Sequence, residues 1–496
     1  MALDETRIPV VIAAGQSVDR DPTAAALELA ARAAGEAFAE APSLRARVQL
    51  VSMVNVMSNA GPAPAATVAR ALGLRPTRTE VTTIGGNSPQ WLISRAAAAI
   101  SAGELEVALV VGAEAQHSAK AQAGGAGPRP EDADAMVGGD RLAPDPVVGD
   151  DRVGIGDAEM RVGLVAPVHV YALFESAIAH RADRSGAEQR TMLGELMAPF
   201  TTVAATQPVA WFRDVRTPAE LATVTADNRL VAEPYPKRMC AFLHVNQGAA
   251  VLVTSLAAAR TAGVADMAVF CWSGAEATEV WFPTARPHLA SSAGLHAACS
   301  AALSAAELGV DDIGAFDLYS CFPCAVEMGV EALGIAPHDT RGLTTTGGLP
   351  YFGGPGNNYS LHGVASTVYR IRAHGGAGLV SAMGWYATKH AVGIYSAGPP
   401  PRGWRRGDTE TAQRVIDASA VPVATEAESP AEVVAATIVV GPGGIVTAAP
   451  VIAQLPDRRR IAAAADPGEL PALAGRDLVG HRIEISGNPP RYRLAP

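Results

Sequence analysis

Short apolar runs alternate with longer stretches whose apolar residues recur every three to four positions. Arg7–Ala14 (RIPVVIAA), Val48–Val56 and Glu80–Ile84 read as strands. Pro22–Ala39, with a proline near its start, and Ala65–Leu72 read as helices between them. Val107–Gly112 is apolar throughout, as expected of a strand covered on both faces of a sheet. Met239–Ser255 resumes the sheet and Leu256–Thr261 follows as a helix. The order then recurs. Met267–Trp272, Ala315–Tyr319 and Gly378–Met383 read as strands, and Leu289–Glu307 and Val326–Leu333 as helices. Such alternation predicts layered α/β architecture.

Two glycine-rich loops strengthen the repeat. Thr344–Gly363 (TTTGGLPYFGGPGNNYSLHG) runs into VASTVYRIRA, and Val81–Trp91 (VTTIGGNSPQW) runs into an alanine-rich helix ending at Ala102. The two stretches lie about 270 positions apart, which reads as an internal duplication with one loop per half facing a shared site. A loop feeding a helix N-terminus offers free N–H groups to an anion or a developing negative charge. Two such loops aimed at one cleft would form an oxyanion-type floor.

The pattern breaks at about residue 124. A polar, Pro/Gly-rich, acidic stretch leads to helices at Val168–Arg181 and Glu188–Thr206. This insertion, about 124–236, reads either as a lid or substrate wall or as a linker. Pro399–Gly407 (PPPRGWRRG) has the composition of a linker. Beyond it, Val433–Val440, Ile445–Gln454, Arg460–Ala464 and His481–Ser486 read as short strands, suggesting a small OB-like barrel. The expected organisation is a first half over 1–265, a second half over 266–398 and an additional domain over 408–496, independent of the rest.

A chain of 496 residues exceeds one core. Aromatic residues are only 5%, so alanine and glycine carry the packing and elements can approach closely. A net charge of −10 without a long basic run argues against nucleic acid as the main partner. No apolar run reaches the roughly 18 residues of a membrane span. The charged start MALDETRIP lacks a signal-peptide core, and five scattered cysteines suggest reduced thiols, so a cytoplasmic location is expected. No spaced Cys/His quartet or H-E-x-x-H marks a metal.

The duplicated halves, the glycine loop into an alanine-rich helix, the Tyr319-Ser320-Cys321-Phe322 box and GGLPYFGGPGNN together resemble the thiolase superfamily. The added C-terminal barrel makes the chain similar to the type 1 thiolase-like proteins of its sterol-carrier-protein branch. The resemblance spans essentially the whole chain. It implies two duplicated α/β layered halves, an inserted loop domain and an OB-like barrel. It also implies an acyl-CoA cleft of the acetyl-CoA acetyltransferase kind, lipid metabolism, no permanently bound cofactor, a coenzyme A thioester as substrate or ligand, and a monomer or homodimer.

Carried over residue by residue, the resemblance places the family's nucleophilic cysteine on Gly85-Gly86-Asn87-Ser88, with Gly85 at the cysteine's own position. These four residues, with Gly353 and Gly354, are then the expected ligand-binding loops. Ser88 reads either as a substitute nucleophile or as a helix cap. Tyr319 stands where the family has histidine, and Cys321 keeps the acid/base cysteine. A tyrosine there resembles thiolase-like aldolases, which use tyrosines for proton transfer. Tyr319 and Cys321, two apart at a strand end, are expected to point the same way. Cys321 and Cys324 form a C-x-x-C pair, redox-active or structural. The histidine that holds the thioester oxygen is absent from Gly353-Gly354-Pro355; His362 is its replacement or a packing residue. Asn357 and Asn358 are expected amide donors to an oxyanion. Lys389 and His390, after Met383-Gly384-Trp385, serve a phosphate or carboxylate, or cap the strand loop. Three functions remain open: acyl transfer on a thiolase-like scaffold without its cysteine, aldol-type cleavage of a β-hydroxyacyl-CoA, and non-catalytic acyl-CoA binding.

Overall fold

The computed structural model describes residues 4–123 and 142–495. The first eighteen residues of the expected insertion, 124–141, lie outside the described residues.

The first half contributes β1 (Pro9–Val18), α1 (Ala26–Glu40), β2 (Leu50–Met53), α2 (Pro64–Ala71), β3 (Arg78–Thr82), α3 (Ser88–Ala102) and β4 (Val107–Ala115). After the insertion, with α4 (Pro167–Arg181) and α5 (Gly186–Thr206), comes β5 (Asn246–Ser255). The second half contributes β6 (Val269–Thr278), α6 (Ala293–Ala306), β7 (Ile313–Asp317), α7 (Pro323–Leu333), α8 (Tyr359–His374), β8 (Ala377–Gly384) and β9 (Lys389–Ser396).

The duplication is explicit in the sheet. In the first half, β1 and β5 are antiparallel, β5 and β4 antiparallel, and β4, β2 and β3 parallel. In the second, β6 and β9 are antiparallel, β9 and β8 antiparallel, and β8 and β7 parallel. The halves join where β1 pairs antiparallel with β6, Val10 opposite Phe270 and Val11 opposite Val269. The result is one continuous sheet ordered β7-β8-β9-β6-β1-β5-β4-β2-β3, with Val147–Val148 on the β3 edge. Among the described residues, the second half has no strand equivalent to β3. In its place the threonines of Thr344–Thr346 converge on the buried Asp317, whose Oδ2 accepts from the Thr345 and Thr346 N–H groups. Helices α3 and α8 lie between the halves, buried along most of their length. Alanine-rich faces permit this closeness: α1 buries Ala30, Ala33, Ala34 and Ala37 against β1 and β5.

The insertion is a wall rather than a linker. Helix α5 lies against the second glycine loop, where a Cβ on Gly347 would sit 2.5 Å from that of Ala204. Among the described residues no helix is long and apolar enough to cross a membrane.

The C-terminal barrel closes over β10 (Ser429–Ala436), β11 (Val451–Gln454), β12 (Arg460–Ala465), β13 (Arg482–Ser486) and β14 (Arg491–Leu494). Before it, helix Glu410–Ala418 rests on the second half, with Gln413 bonded to Thr278 through both backbone groups. The sequence pattern missed this helix. The barrel also shares structure with the insertion. Val439–Val440 pairs with Leu230–Ala232, the Glu233 N–H donates to Ile438, and the Ala436 N–H donates to Ser176. Ala435, Ile452 and Ala462 belong to the same apolar cluster as the second half. The expected independence of this domain is therefore corrected: it shares a core and a sheet with the body. We predict that removing residues 399–496 lowers the thermal midpoint of the remainder and raises its binding of a hydrophobic dye. An unchanged midpoint would show that the shared core contributes nothing.

Candidate active site

The two glycine loops, the Tyr319 bend and the end of β8 do meet. β3 ends at Thr82, and residues 83–87 turn the chain into α3. That turn is held from the second half: the Gly85 N–H donates to Asn357 Oδ1 (2.9 Å), and Ser360 Oγ donates to the Gly86 carbonyl (2.9 Å). Gly85 and Gly86 face different neighbours. A Cβ on Gly85 would meet the Lys389 side chain at 3.0 Å, whereas one on Gly86 would lie 2.2 Å from the Tyr319 hydroxyl and 2.5 Å from the Met383 carbonyl. No side chain fits at 86 without displacing Tyr319. Both directions meet second-half residues: Gly86 faces Tyr319 and Met383, and Gly85 faces Lys389.

Strand β7 stops at Asp317, so Tyr319 and Cys321 lie in the bend before α7 rather than at a strand end. They are nevertheless neighbours. Tyr319 is 7% exposed, its N–H donates to Ser381 Oγ (3.0 Å), and its ring meets Tyr359 edge-on at 5.7 Å. Among the described residues its hydroxyl makes no hydrogen bond, and burial pushes its pKa well up. Burial likewise pushes the Cys321 thiol up to about 12, partly offset by the Tyr171 hydroxyl, so it is a neutral thiol at physiological pH. Cys324 is a buried thiol, also pushed up by burial, and no disulfide joins it to Cys321.

Tyr171, which no sequence motif singles out, holds this corner. It donates to the Trp385 carbonyl (2.9 Å), accepts from the Ala387 N–H (3.1 Å) and stacks on Phe322 at 4.8 Å. It comes from α4, so the insertion supplies part of the wall.

Several expected roles do not match the geometry. The Asn357 amide donates to the Asn55 carbonyl (3.1 Å) and that of Asn358 to the Gly112 carbonyl (2.7 Å), so neither faces a cleft as an oxyanion donor. The loop 353–358 is closed in the same way: the N–H groups of Gly354, Gly356 and Asn358 bond Phe242, Gly354 and Pro355. A Cβ on Gly353 would strike Gln247 at 2.5 Å, and one on Gly354 would lie 3.3 Å from Leu243. His362 is packed against β1. Its Nδ1 bonds Gln16 Oε1 at 2.6 Å, its ring lies 5.0 Å from Phe352, and burial lowers its pKa to about 3. Ser88 is the first residue of α3, following Asn87, and its hydroxyl donates to the Thr83 carbonyl at 3.4 Å. No histidine bonds it among the described residues.

Beside the bend lies a cavity of about 260 Å³, walled by Phe212, Phe242 and Tyr351 and rimmed by Lys237 and Arg238. Its wall connects directly to the site: the Ala241 N–H donates to the Cys321 carbonyl (2.9 Å) and that of Phe242 to Leu349 (3.2 Å). The Tyr351 hydroxyl is buried and unpartnered.

No protein-family model and no curated protein matches the chain. Solved structures do. A monomeric SCP2-thiolase-like protein type 1 from Mycobacterium smegmatis matches over 100% of both chains, at 32% identity and a TM-score of 0.84. The chain belongs to the type 1 SCP2-thiolase-like proteins. The chain also matches an Ltp2–ChsH2(DUF35) aldolase, over 79% of this chain and 98% of that one, at 19% identity and a TM-score of 0.60. It matches an acetyl-CoA acetyltransferase from Syntrophomonas wolfei over 79% of this chain and 99% of that one, at 14% identity and a TM-score of 0.57. These two show the shared fold.

Two predictions follow from this geometry. Gly86→Ala should cost about 1–3 kcal/mol through overpacking, measured by denaturant unfolding; a neutral change would mean that Tyr319 moves aside freely. The second concerns acid stability. Burial lowers His362 to about 3 and His390 to about 4, from an ordinary value near 6.5. Below about pH 6.5 the unfolded chain takes up protons that the folded chain refuses, so the stability these neutral rings confer is complete above that pH and lost through the window below it. The thermal midpoint should fall between pH 7 and 4.5, and less steeply in His362→Gln. Equal slopes would exclude His362 as a contributor.

Proposed function

We propose that this protein binds a coenzyme A thioester and acts on it by proton transfer from Tyr319, without an acyl-enzyme. The observation that carries the reading is the 2.2 Å between the Tyr319 hydroxyl and the place of a Cβ on Gly86. Where the fold turns a side chain toward the second half, there is none, and a tyrosine hydroxyl fills the space.

The cavity beside the bend supports the ligand class. Lys237 and Arg238 have no ion-pair partner among the described residues and would take phosphates, while Phe212 and Phe242 would cover an apolar chain. The acetyl-CoA acetyltransferase among the structural neighbours acts on the same kind of ester by name. The Gly86 N–H has no acceptor among the described residues and would join the Tyr319 hydroxyl on the thioester or β-oxygen. Tyr319, a neutral phenol, would donate a proton to that oxygen, and the neutral Cys321 thiol would serve as a second donor. Such chemistry forms or breaks a carbon–carbon bond through an enolate. The aldolase among the neighbours makes aldol-type cleavage of a β-hydroxyacyl-CoA the reaction to test first. Non-catalytic binding is the second reading, favoured by the closed amides of Asn357 and Asn358.

Among the described residues, Val147–Val148 pairs only with Val81 and Thr82 at the end of β3 and is itself the sheet edge, so the expectation of a monomer rests on the monomeric protein from Mycobacterium smegmatis that this chain resembles.

The test is a screen of acyl-CoAs for binding and turnover, followed by Tyr319→Phe and Cys321→Ala. Loss of one positioned acid/base group lowers kcat by about 10²–10⁴. That loss in Tyr319→Phe with retained binding is the expected result. Wild-type kcat in Tyr319→Phe would overturn the catalytic role, and no binding of any acyl-CoA would overturn the ligand class.

A further inference from the structure

A second cavity lies on the other side of the first glycine loop. It has a volume of about 550 Å³ and is lined by Asn87, Ser88, Trp91, Glu276, Trp281 and Lys389. It is separate from the Tyr319 side: Gly85 turns toward Lys389, as Gly86 turns toward Tyr319.

Lys389 is unusual in three respects. The chain has three lysines, Lys120, Lys237 and Lys389, among 39 basic residues. Lys389 alone of the three is buried, at 5% exposure. Among the described residues it has no carboxylate within ion-pair distance, since Asp150 pairs with Arg152 instead. Burial disfavours an ammonium, and lysine, unlike arginine, can meet that cost by losing its proton, with Asp150 favouring the charged form. Its Nζ donates to the Ile84 carbonyl (2.7 Å) and the Asp150 carbonyl (3.3 Å). Once deprotonated, the amine would meet both with its two hydrogens and keep a lone pair. Burial lowers the Lys389 pKa, with Asp150 opposing and Arg152 reinforcing the shift.

A carboxyl group shares the same face of the sheet. Lys389 pairs with Thr278 in the register of β9 and β6, so Glu276, two residues along, projects to the same side. Its Oε2 lies 2.6 Å from Arg406, while its buried Oε1 has no partner.

We propose that Lys389 is the amine of an imine-forming site for a small aldehyde or ketone, with Glu276 as its proton donor and acceptor. The amine lone pair adds to the carbonyl carbon and the carbonyl oxygen takes a proton from the Glu276 carboxyl, giving a carbinolamine. The nitrogen then loses its proton to the carboxylate, and the hydroxyl leaves with a proton as water. The balance is amine plus carbonyl to imine plus water, with no change of oxidation state. This site does not depend on the acyl-CoA reading.

The test uses the full-length protein at pH 7 with pyruvate, acetaldehyde and benzaldehyde, each with sodium cyanoborohydride, followed by peptide mapping. Lys120 and Lys237, both exposed, are internal controls. The expected result is reductive labelling of Lys389 by at least one of the three carbonyls, at a concentration at least tenfold lower than the controls need. Glu276→Gln should slow labelling at Lys389 at least tenfold and leave the controls unchanged. Failure of all three carbonyls to label Lys389, or labelling only in step with Lys120 and Lys237, would overturn the proposal. Unchanged labelling in Glu276→Gln would overturn the role of Glu276.

Discussion

The site depends on how closely the Tyr319 hydroxyl approaches the backbone of Gly86. That approach needs a residue without a side chain at the entrance to α3, and it needs the bend after β7 held firmly. Asp317 binds the threonine run, Ser381 holds the Tyr319 backbone, and Tyr171 ties the insertion to the end of β8. The first glycine loop is in turn held by Asn357 and Ser360. Residues that the motif suggested as oxyanion donors thus hold the two halves in register. A buried polar group must find a partner, and here the partners are backbone groups of the opposite half.

Much of the fold was legible in the sequence. Continuous apolar runs such as Val107–Gly112 and alanine-rich helices between them mark a sheet covered on both faces, and the two glycine loops mark the duplication. The barrel strands showed through their short spacing. What was not legible depends on long-range contact. The helix Glu410–Ala418 hides in a polar stretch, because it buries only Ile416. The sharing of one core by barrel and body is not encoded in any local pattern. At the site, the motifs placed Tyr319 and Cys321 in one bend, but spacing alone could not show that Gly85 faces Lys389 and Gly86 faces Tyr319. Nor could it show that His362 turns toward Gln16, or that Tyr171 arrives from the insertion.

The first glycine loop separates two environments of different character. On one side, the Tyr319 hydroxyl closes on Gly86 beside the neutral Cys321 thiol. On the other, a buried lysine faces a cavity walled by Trp91 and Trp281. Both follow from the same backbone constraint, since consecutive residues of the loop turn to opposite sides.

The central proposal is that the thiolase-like scaffold here would handle a coenzyme A thioester without covalent capture. The most direct measurement is the intact mass of the protein after incubation with acetyl-CoA and acetoacetyl-CoA, on a sample shown by equilibrium dialysis to hold the ester. The account predicts a bound ester and an unmodified chain mass. An acyl adduct mapped to any residue of Thr82–Gln90 would contradict it.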